Sequence, residues 1–238
     1  MRPINAARTG VLALGLLAAG AAMGAETRVY DITVAGLPLG AVTLAAEQTG
    51  DSYVAQSRIT PNGLVAAFTS YSFDGRASGR IVDGKVEPRR FTADSTSPRA
   101  KRRTEVEWNG PRPVKVSVVP PRKFQPDPER VYGALDPVSA GFALLRDKAP
   151  GEVCNAEVEV FDGSRRSKLT VGKPAAVEGG LVCRGTYARI EGEAHSISET
   201  QASYPFTLTF VPAAGGQVTL DRIETQTRFG TAVISRRG

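Results

Sequence analysis

Histidine and cysteine are scarce in this chain, and their scarcity excludes several kinds of site. The 238 residues include one histidine and two cysteines. Two cysteines cannot form a four-cysteine zinc site or a four-cysteine iron–sulfur cluster, and one histidine cannot form a site of several histidines. The sequence also lacks a phosphate-binding P-loop motif and a dinucleotide-binding glycine motif. We therefore predict no metal site and no cofactor.

Long apolar runs are equally few, and the clearest one lies at the N-terminus. Arg2 and Arg8 precede an apolar run at residues 11–22, and small residues follow up to Ala25. This layout is typical of a cleaved signal peptide. The run would span about 18 Å as a helix, which is too short for a hydrocarbon core of about 30 Å. We predict a signal peptide over residues 1–25, export to the periplasm with secretion outside the cell as the alternative, and no transmembrane segment in the mature chain.

The predicted export bears on the chemistry of the two cysteines. In an oxidising compartment an isolated pair favours a structural disulfide, here between Cys154 and Cys183. Their wide spacing does not resemble a redox-active C-x-x-C pair. Two separate buried thiols are the alternative.

Alternation of apolar and polar residues dominates the rest of the chain and predicts strands. Turn signals at 83–84, 109–110 and 162–163 predict hairpins. Phe206, Leu208 and Phe210 share one face, which we expect to point inward. Val218 and Leu220 predict a second inward face, from which Ile223 departs as it would after a β-bulge. The predicted fold is one all-β, mostly antiparallel domain over residues 26–238: a single curled sheet or open β-barrel of roughly a dozen strands.

One short helix is predicted near residues 136–147. Asp136 can cap it, and Pro137 suits its first position. Val138, Phe142 and Leu145 then form an apolar stripe. Because a barrel of about a dozen strands is too wide for wall side chains alone to fill, this stripe is expected either to contact an apolar ligand or to plug the interior. The alternative is a helix packed on the outer face.

Basic clusters are candidates for contact with anionic surfaces such as lipid head groups or acidic envelope polymers. They include Arg102, Arg103, Arg165 and Arg166. The alternative is that these charges keep hairpin ends soluble and edge strands unpaired. A nucleic-acid partner is not expected for an exported protein.

Catalytic motifs are not evident. His195 has acidic and hydroxyl neighbours in sequence, but no nucleophile-elbow motif supports a triad. The acidic pairs at 105/107 and 157/159 alternate along strands and are interpreted as solvated faces. We assign no catalytic residue.

Four short motifs resemble a known family. They are Tyr30-Asp31 followed by Gly36 and Gly40, Tyr71-Ser72-Phe73, Leu135-Asp136-Pro137-Val138-Ser139, and Phe161-Asp162-Gly163 with Arg165-Arg166. Together they resemble the bacterial domain of unknown function 3108. The resemblance implies an exported envelope protein with no established activity and supplies no catalytic residues. By looser analogy, the fold is similar to the open β-barrels of periplasmic lipoprotein carriers, which cover an apolar cavity with helices.

These observations lead to one main functional hypothesis and two alternatives. The main hypothesis is a non-enzymatic periplasmic envelope protein that binds an apolar or lipid-like ligand in its interior, or an envelope protein on its surface. The alternatives are a structural or adaptor module of the cell envelope, and a hydrolase that acts on envelope polymers through His195 or paired acids.

Overall fold

The computed structural model describes residues 23–62, 71–98, 100–123, 125–192 and 203–238. The predicted signal peptide up to residue 22 and His195 lie outside these residues. Within them the chain forms one α-helix of nine residues, α1 (Pro137–Leu145). The strands are β1 (Met23–Val34), β2 (Leu37–Thr49), β3 (Ser52–Pro61), β4 (Ser72–Val82), β5 (Lys85–Ser97), β6 (Ala100–Asn109), β7 (Arg112–Val119), β8 (Ala156–Phe161), β9 (Arg166–Val171), β10 (Ala175–Val177), β11 (Gly180–Glu191), β12 (Ser203–Pro212), β13 (Val218–Thr227) and β14 (Gly230–Arg236).

These described strands form a single antiparallel sheet of fourteen strands, which confirms the predicted all-β class. The strand order is β7-β6-β5-β4-β3-β2-β1-β14-β13-β12-β11-β9-β8, and the short β10 pairs with β11. Each half of the chain is a run of neighbouring strands, and the halves join where β1 pairs with β14. The predicted hairpin turns at 83–84, 109–110 and 162–163 connect β4 to β5, β6 to β7, and β8 to β9.

The sheet curls but does not close, because its end strands β7 and β8 are not paired with each other. The connector between them lies in the opening. The backbone of Gly133 donates a hydrogen bond to the carbonyl of Pro111 beside β7 at 2.8 Å, and that of Leu135 donates to Glu159 in β8 at 2.9 Å. The connector therefore bridges the two edges locally and delivers α1 to the interior.

The inner face carries two hydrophobic clusters. The first lies against the strands of the N-terminal half and includes Tyr53, Phe91 and Trp108. The second lies against β1 and the strands of the C-terminal half, and includes Leu208 and Phe210, which confirms the predicted inward face of β12. In β13, a register shift opposite Thr209 and Phe210 brings Ile223 back to the inner face, as the predicted bulge requires.

Helix α1 lies on this inner face and contacts strands of both halves, namely β2 to β5 as well as β8 and β13. Val138 and Phe142 belong to the first cluster, and Leu145 belongs to the second. A small residue on β4 makes room for the helix. A Cβ atom added at Gly75 would lie 2.8 Å from Cγ2 of Val138 and 2.6 Å from the ring of Phe73. The helix is therefore an interior plug, and the alternative of packing on the outer face does not apply.

Candidate functional site

Helix α1 has a second stripe of residues, and this stripe lines a groove instead of packing in a cluster. Pro137, Ala140, Gly141 and Leu144 recur at helical spacing beside the buried stripe of Val138, Phe142 and Leu145. Two of the four are among the smallest residues, so they leave space between the helix and the strands of the C-terminal half. We call this space the inner groove.

One part of the inner groove is an apolar compartment of about 100 Å³. Its walls come from α1, from the segment that follows the helix, and from β8, β9 and β12. Phe206, Leu208 and Phe210 supply one wall, and Lys148 and Glu152 are the charged residues that line it. The other lining residues are Ala140, Ala143, Leu144, Val153, Cys154, Ala156, Val158, Leu169 and Val171.

The neighbouring part, which we call the second compartment, has a volume of about 260 Å³ and is also mainly apolar, but its lining includes Asp162, Arg165, Ser167 and Tyr187. Ala140, Leu144 and Leu169 line both compartments, so the two lie side by side. The Arg165 side chain is 2% exposed and donates to Oδ2 of Asp162 from Nη2 at 2.6 Å and from Nε at 3.2 Å. The hydroxyl oxygens of Ser167 and Tyr187 lie 2.8 Å apart. This compartment therefore presents hydroxyl groups beside a neutralised ion pair.

The N-terminus of α1 is held by a buried polar network. The backbone N–H groups of Val138 and Ser139 each donate to Oδ1 of Asp136 at 2.9 Å. The Ser139 hydroxyl donates to Oδ2 of Asp136, so the Tyr53 hydroxyl, 2.6 Å from Ser139 Oγ, must donate to it. Burial raises the pKa of Asp136 to about 6, and it raises the pKa of Tyr53 as well. The stacked rings of Tyr53 and Phe142, with centroids 4.8 Å apart, continue this attachment along the helix.

The C-terminus of α1 is held by Arg28 of β1, which is 8% exposed. Arg28 donates to the carbonyl of Leu145 and to the hydroxyl of Thr219, the latter at 2.9 Å. Its Nη2 atom forms ion pairs with Glu26 at 2.6 Å and Asp147 at 2.8 Å. A cation at this end also suits the helix dipole. Both ends of the helix are thus bonded to the sheet, which fixes the stripe that faces the groove.

The three predicted apolar contacts pack in the protein interior and do not line the inner groove. Val138, Phe142 and Leu145 are at most 9% exposed and pack in the clusters. The groove is lined by the adjacent stripe of α1, and Phe142 and Leu145 reach only a small gap of about 20 Å³ beside Arg28. The periodicity of Ala140, Gly141 and Leu144 was visible in the sequence, but small residues alone do not distinguish a groove from close packing.

The four predicted basic contacts lie in different surroundings. The Arg103 side chain is exposed and has Asp94 at 3.9 Å, while Arg102 is half-buried; both line an open depression of about 510 Å³ at the ends of β3 to β7. Arg165 is buried with its acidic partner. Arg166 is 15% exposed and pairs with Glu159 at 2.8 Å. The four therefore do not form one exposed basic surface.

The acidic pairs behave as solvated faces of strands. Glu105 and Glu107 pair with Arg90 and Lys115 at distances of 2.6 to 3.5 Å. Glu157 pairs with Lys168 at 2.6 Å. Among the described residues there is no group of three or more His, Cys, Asp or Glu side chains that could hold a metal ion.

Cys154 and Cys183 lie at disulfide distance, as predicted, with Cα atoms 5.8 Å apart. The link joins the segment after α1 to β11. Because Cys154 also lines the apolar compartment, the disulfide supports one of its walls.

None of the helices in the described ranges is long and apolar enough to cross a membrane.

Comparisons with known proteins agree with the motifs. The family model described as Protein of unknown function (DUF3108) matches residues 29–178, a span that contains all four motifs of the predicted resemblance. No curated protein matches the chain. Among solved structures, the crystal structure of a beta-barrel-like protein of domain of unknown function DUF1849 from Brucella abortus is similar at 13% identity. That match covers 90% of this chain and 95% of the other, with a TM-score of 0.43.

Proposed function

We propose a binding function for this chain, which belongs to the DUF3108 family of proteins of unknown function. The protein acts in the periplasm without catalysing a reaction, and it holds the apolar chain of a lipid-like ligand in the inner groove. The observation that carries this proposal is the apolar compartment beside α1, with Phe206, Leu208 and Phe210 as one wall.

The apolar lining of the compartment favours binding of an acyl chain. Its lining is aliphatic and aromatic apart from Lys148 and Glu152. Each methylene group that moves from water into such surroundings contributes about 0.8 kcal/mol. A chain that is only partly accommodated would therefore bind measurably, and it could extend past Leu144 and Leu169 into the neighbouring compartment. Ligand sites commonly combine an apolar lining with a few polar groups in this way.

The rigidity of the groove supports the same function. Hydrogen bonds from Arg28 at one end of α1 and to Asp136 at the other hold the helix in place. A groove that exists before the ligand arrives loses little conformational entropy on binding. The apolar run at residues 11–22 and the cysteine pair are the features that support export.

Two measurements test the proposal. Purified protein should carry lipid-like molecules that organic extraction and mass spectrometry detect, and delipidated protein should bind decanoate or decanol in isothermal titration calorimetry. Ala140→Phe should block the groove and weaken binding by about tenfold or more, a loss of about 1.4 kcal/mol. Ala176→Phe, at an exposed position on β10, is the matched control and should bind as the wild type does. The proposal is refuted if the wild type binds none of decanoate, decanol and decyl phosphate, or if Ala140→Phe leaves binding unchanged.

A further inference from the structure

Lys148 is one of the two charged residues that line the apolar compartment. It follows the end of α1, and its backbone is fixed to β13 by two hydrogen bonds with Val218, of 2.8 and 3.3 Å. Its side chain is half-buried and lines the apolar compartment beside the exposed Glu152. Phe210 and Leu208 of the same lining are each 1% exposed. The lining of the compartment thus combines a half-buried lysine and an exposed carboxylate with fully buried apolar side chains of β12.

Among the residues that the structure describes, Lys148 has no ion-pair partner that neutralises its charge. Within the described residues, no carboxylate oxygen lies within 4.0 Å of its ammonium nitrogen, whereas Arg165 in the second compartment is paired directly with Asp162. Arg146 repels the Lys148 ammonium and Glu152 attracts it, and the effect of Arg146 is the larger of the two. The inner groove therefore contains one ion pair, between Arg165 and Asp162, and one partly desolvated cation, Lys148.

We propose that Lys148 binds the anionic head group of a single-chain amphiphile whose apolar chain occupies the apolar compartment. This inference rests on the proposed function and adds the chemical class of the ligand: one acyl or alkyl chain with a carboxylate or phosphate at its end. The anion would restore the electrostatic stabilisation that Lys148 loses when it leaves water. A neutral head group would leave that loss uncompensated.

The protonation of Lys148 gives the inference a pH dependence. Burial, reinforced by Arg146, lowers the pKa of Lys148 from 10.5 to about 8, although Glu152 opposes this change. An anionic head group requires the protonated ammonium. Affinity for an anionic amphiphile should therefore be high below this pKa in the free protein and should fall as the pH rises above it. Affinity for a neutral amphiphile should not follow the same curve.

The experiment compares decanoate, decyl phosphate and decanol by isothermal titration calorimetry with delipidated full-length mature protein. The wild type should bind at least one of the two anions about tenfold more tightly than decanol near pH 7, and lose this preference near pH 10. Comparison of the two anions shows whether a carboxylate or a phosphate is preferred. Lys148→Met should lose the preference and keep its affinity for decanol. Lys148→Arg should restore it and retain it near pH 10, because a guanidinium stays protonated there.

Lys173→Met, at an exposed lysine after β9, is the matched control and should behave as the wild type does. Equal affinity of the wild type for anions and decanol would overturn the role of Lys148 and leave the proposed function standing. A preference for anions that survives Lys148→Met would do the same. If neither the anions nor decanol bind to the wild type, the proposed function itself fails. Restoration by Lys148→Arg separates loss of the charge from a structural effect of the Met variant.

Discussion

The buried carboxylate that caps α1 makes the stability of the protein depend on pH in a specific direction. Asp136 is fully buried, and burial raises its pKa from 3.8 to about 6. Between these two values the folded protein keeps a proton on Asp136 that the unfolded chain has released. The contribution of Asp136 to the free energy of unfolding is therefore largest below pH 3.8 and is lost as the pH rises to about 6.

The size of this effect follows from the two pKa values. At about 1.36 kcal/mol per pKa unit, the difference between 3.8 and about 6 corresponds to a loss of about 3 kcal/mol as the pH rises. Asp136→Asn removes the titration and keeps an oxygen that accepts from the N–H groups of Val138 and Ser139. Its amide can also donate to the Ser139 hydroxyl. Relative to this variant, the wild type should therefore lose about 3 kcal/mol of stability between about pH 4 and about pH 7.

Urea unfolding at a series of pH values measures this difference, with fluorescence of the single, buried Trp108 as the signal. Groups that titrate identically in both proteins cancel when the two curves are subtracted. Asp127→Asn, at the exposed cap of the short turn of 3₁₀-helix at residues 128–130, serves as the control for loss of a surface carboxylate. A difference between wild type and Asp136→Asn that stays constant to within about 1 kcal/mol over this range would refute the reasoning, because it would mean that Asp136 titrates alike in both states.

Three further predictions concern stability, measured by urea unfolding. Replacing both cysteines by serine should cost about 3.6 kcal/mol for a sequence separation of 29, and a loss below about 1 kcal/mol would contradict a stabilising disulfide. Gly75→Ala should lower the free energy of unfolding by about 1–3 kcal/mol, because the added methyl group overpacks the contact with α1. Gly141→Ala places its methyl group in open space and should raise the free energy of unfolding by up to about 1 kcal/mol. Equal effects of the two substitutions would contradict the packing described. Arg28→Met should cost about 3 kcal/mol, well above the exposed-pair control Arg58→Met, and equal losses would show that the buried contacts of Arg28 contribute little.

The all-β fold could be predicted from sequence because the patterns that indicate strands, turns and the helix involve residues that are close together in the chain. Alternation along strands, two-residue turns and a proline after Asp136 each depend on neighbouring residues. The strand count was close: roughly a dozen were predicted from these signals, and the structure has fourteen within its described residues. The pairing of β1 with β14 joins residues about two hundred positions apart in the chain, and alternation carries no information on such partners.

The site was only partly predictable, and the reason lies in the helix. The buried stripe through Val138 and Phe142 is recognisable from hydrophobicity, but the groove is made by Ala140 and Gly141, whose small size has meaning only once the opposite wall is known. Lys148 was not singled out, since a lysine after a helix is ordinarily a favourable C-terminal charge. Its position against the apolar compartment depends on the contact with β13, which is a tertiary feature.

The unfilled inner groove lowers the stability of the free protein, and a substitution that fills it can distinguish a binding site from a packing irregularity. At about 24 cal/mol per Å³, an apolar compartment of about 100 Å³ that is partly open to solvent forgoes at most about 2 kcal/mol of stability. The helix is held at both ends by buried polar groups, so the sheet cannot simply collapse onto Ala140 to recover it. Filling the space with Ala140→Phe should therefore leave the free protein at least as stable as the wild type while it weakens binding of the amphiphile. A variant that gained stability and kept full affinity would show that the ligand lies elsewhere, because a packing irregularity can be filled without loss of function.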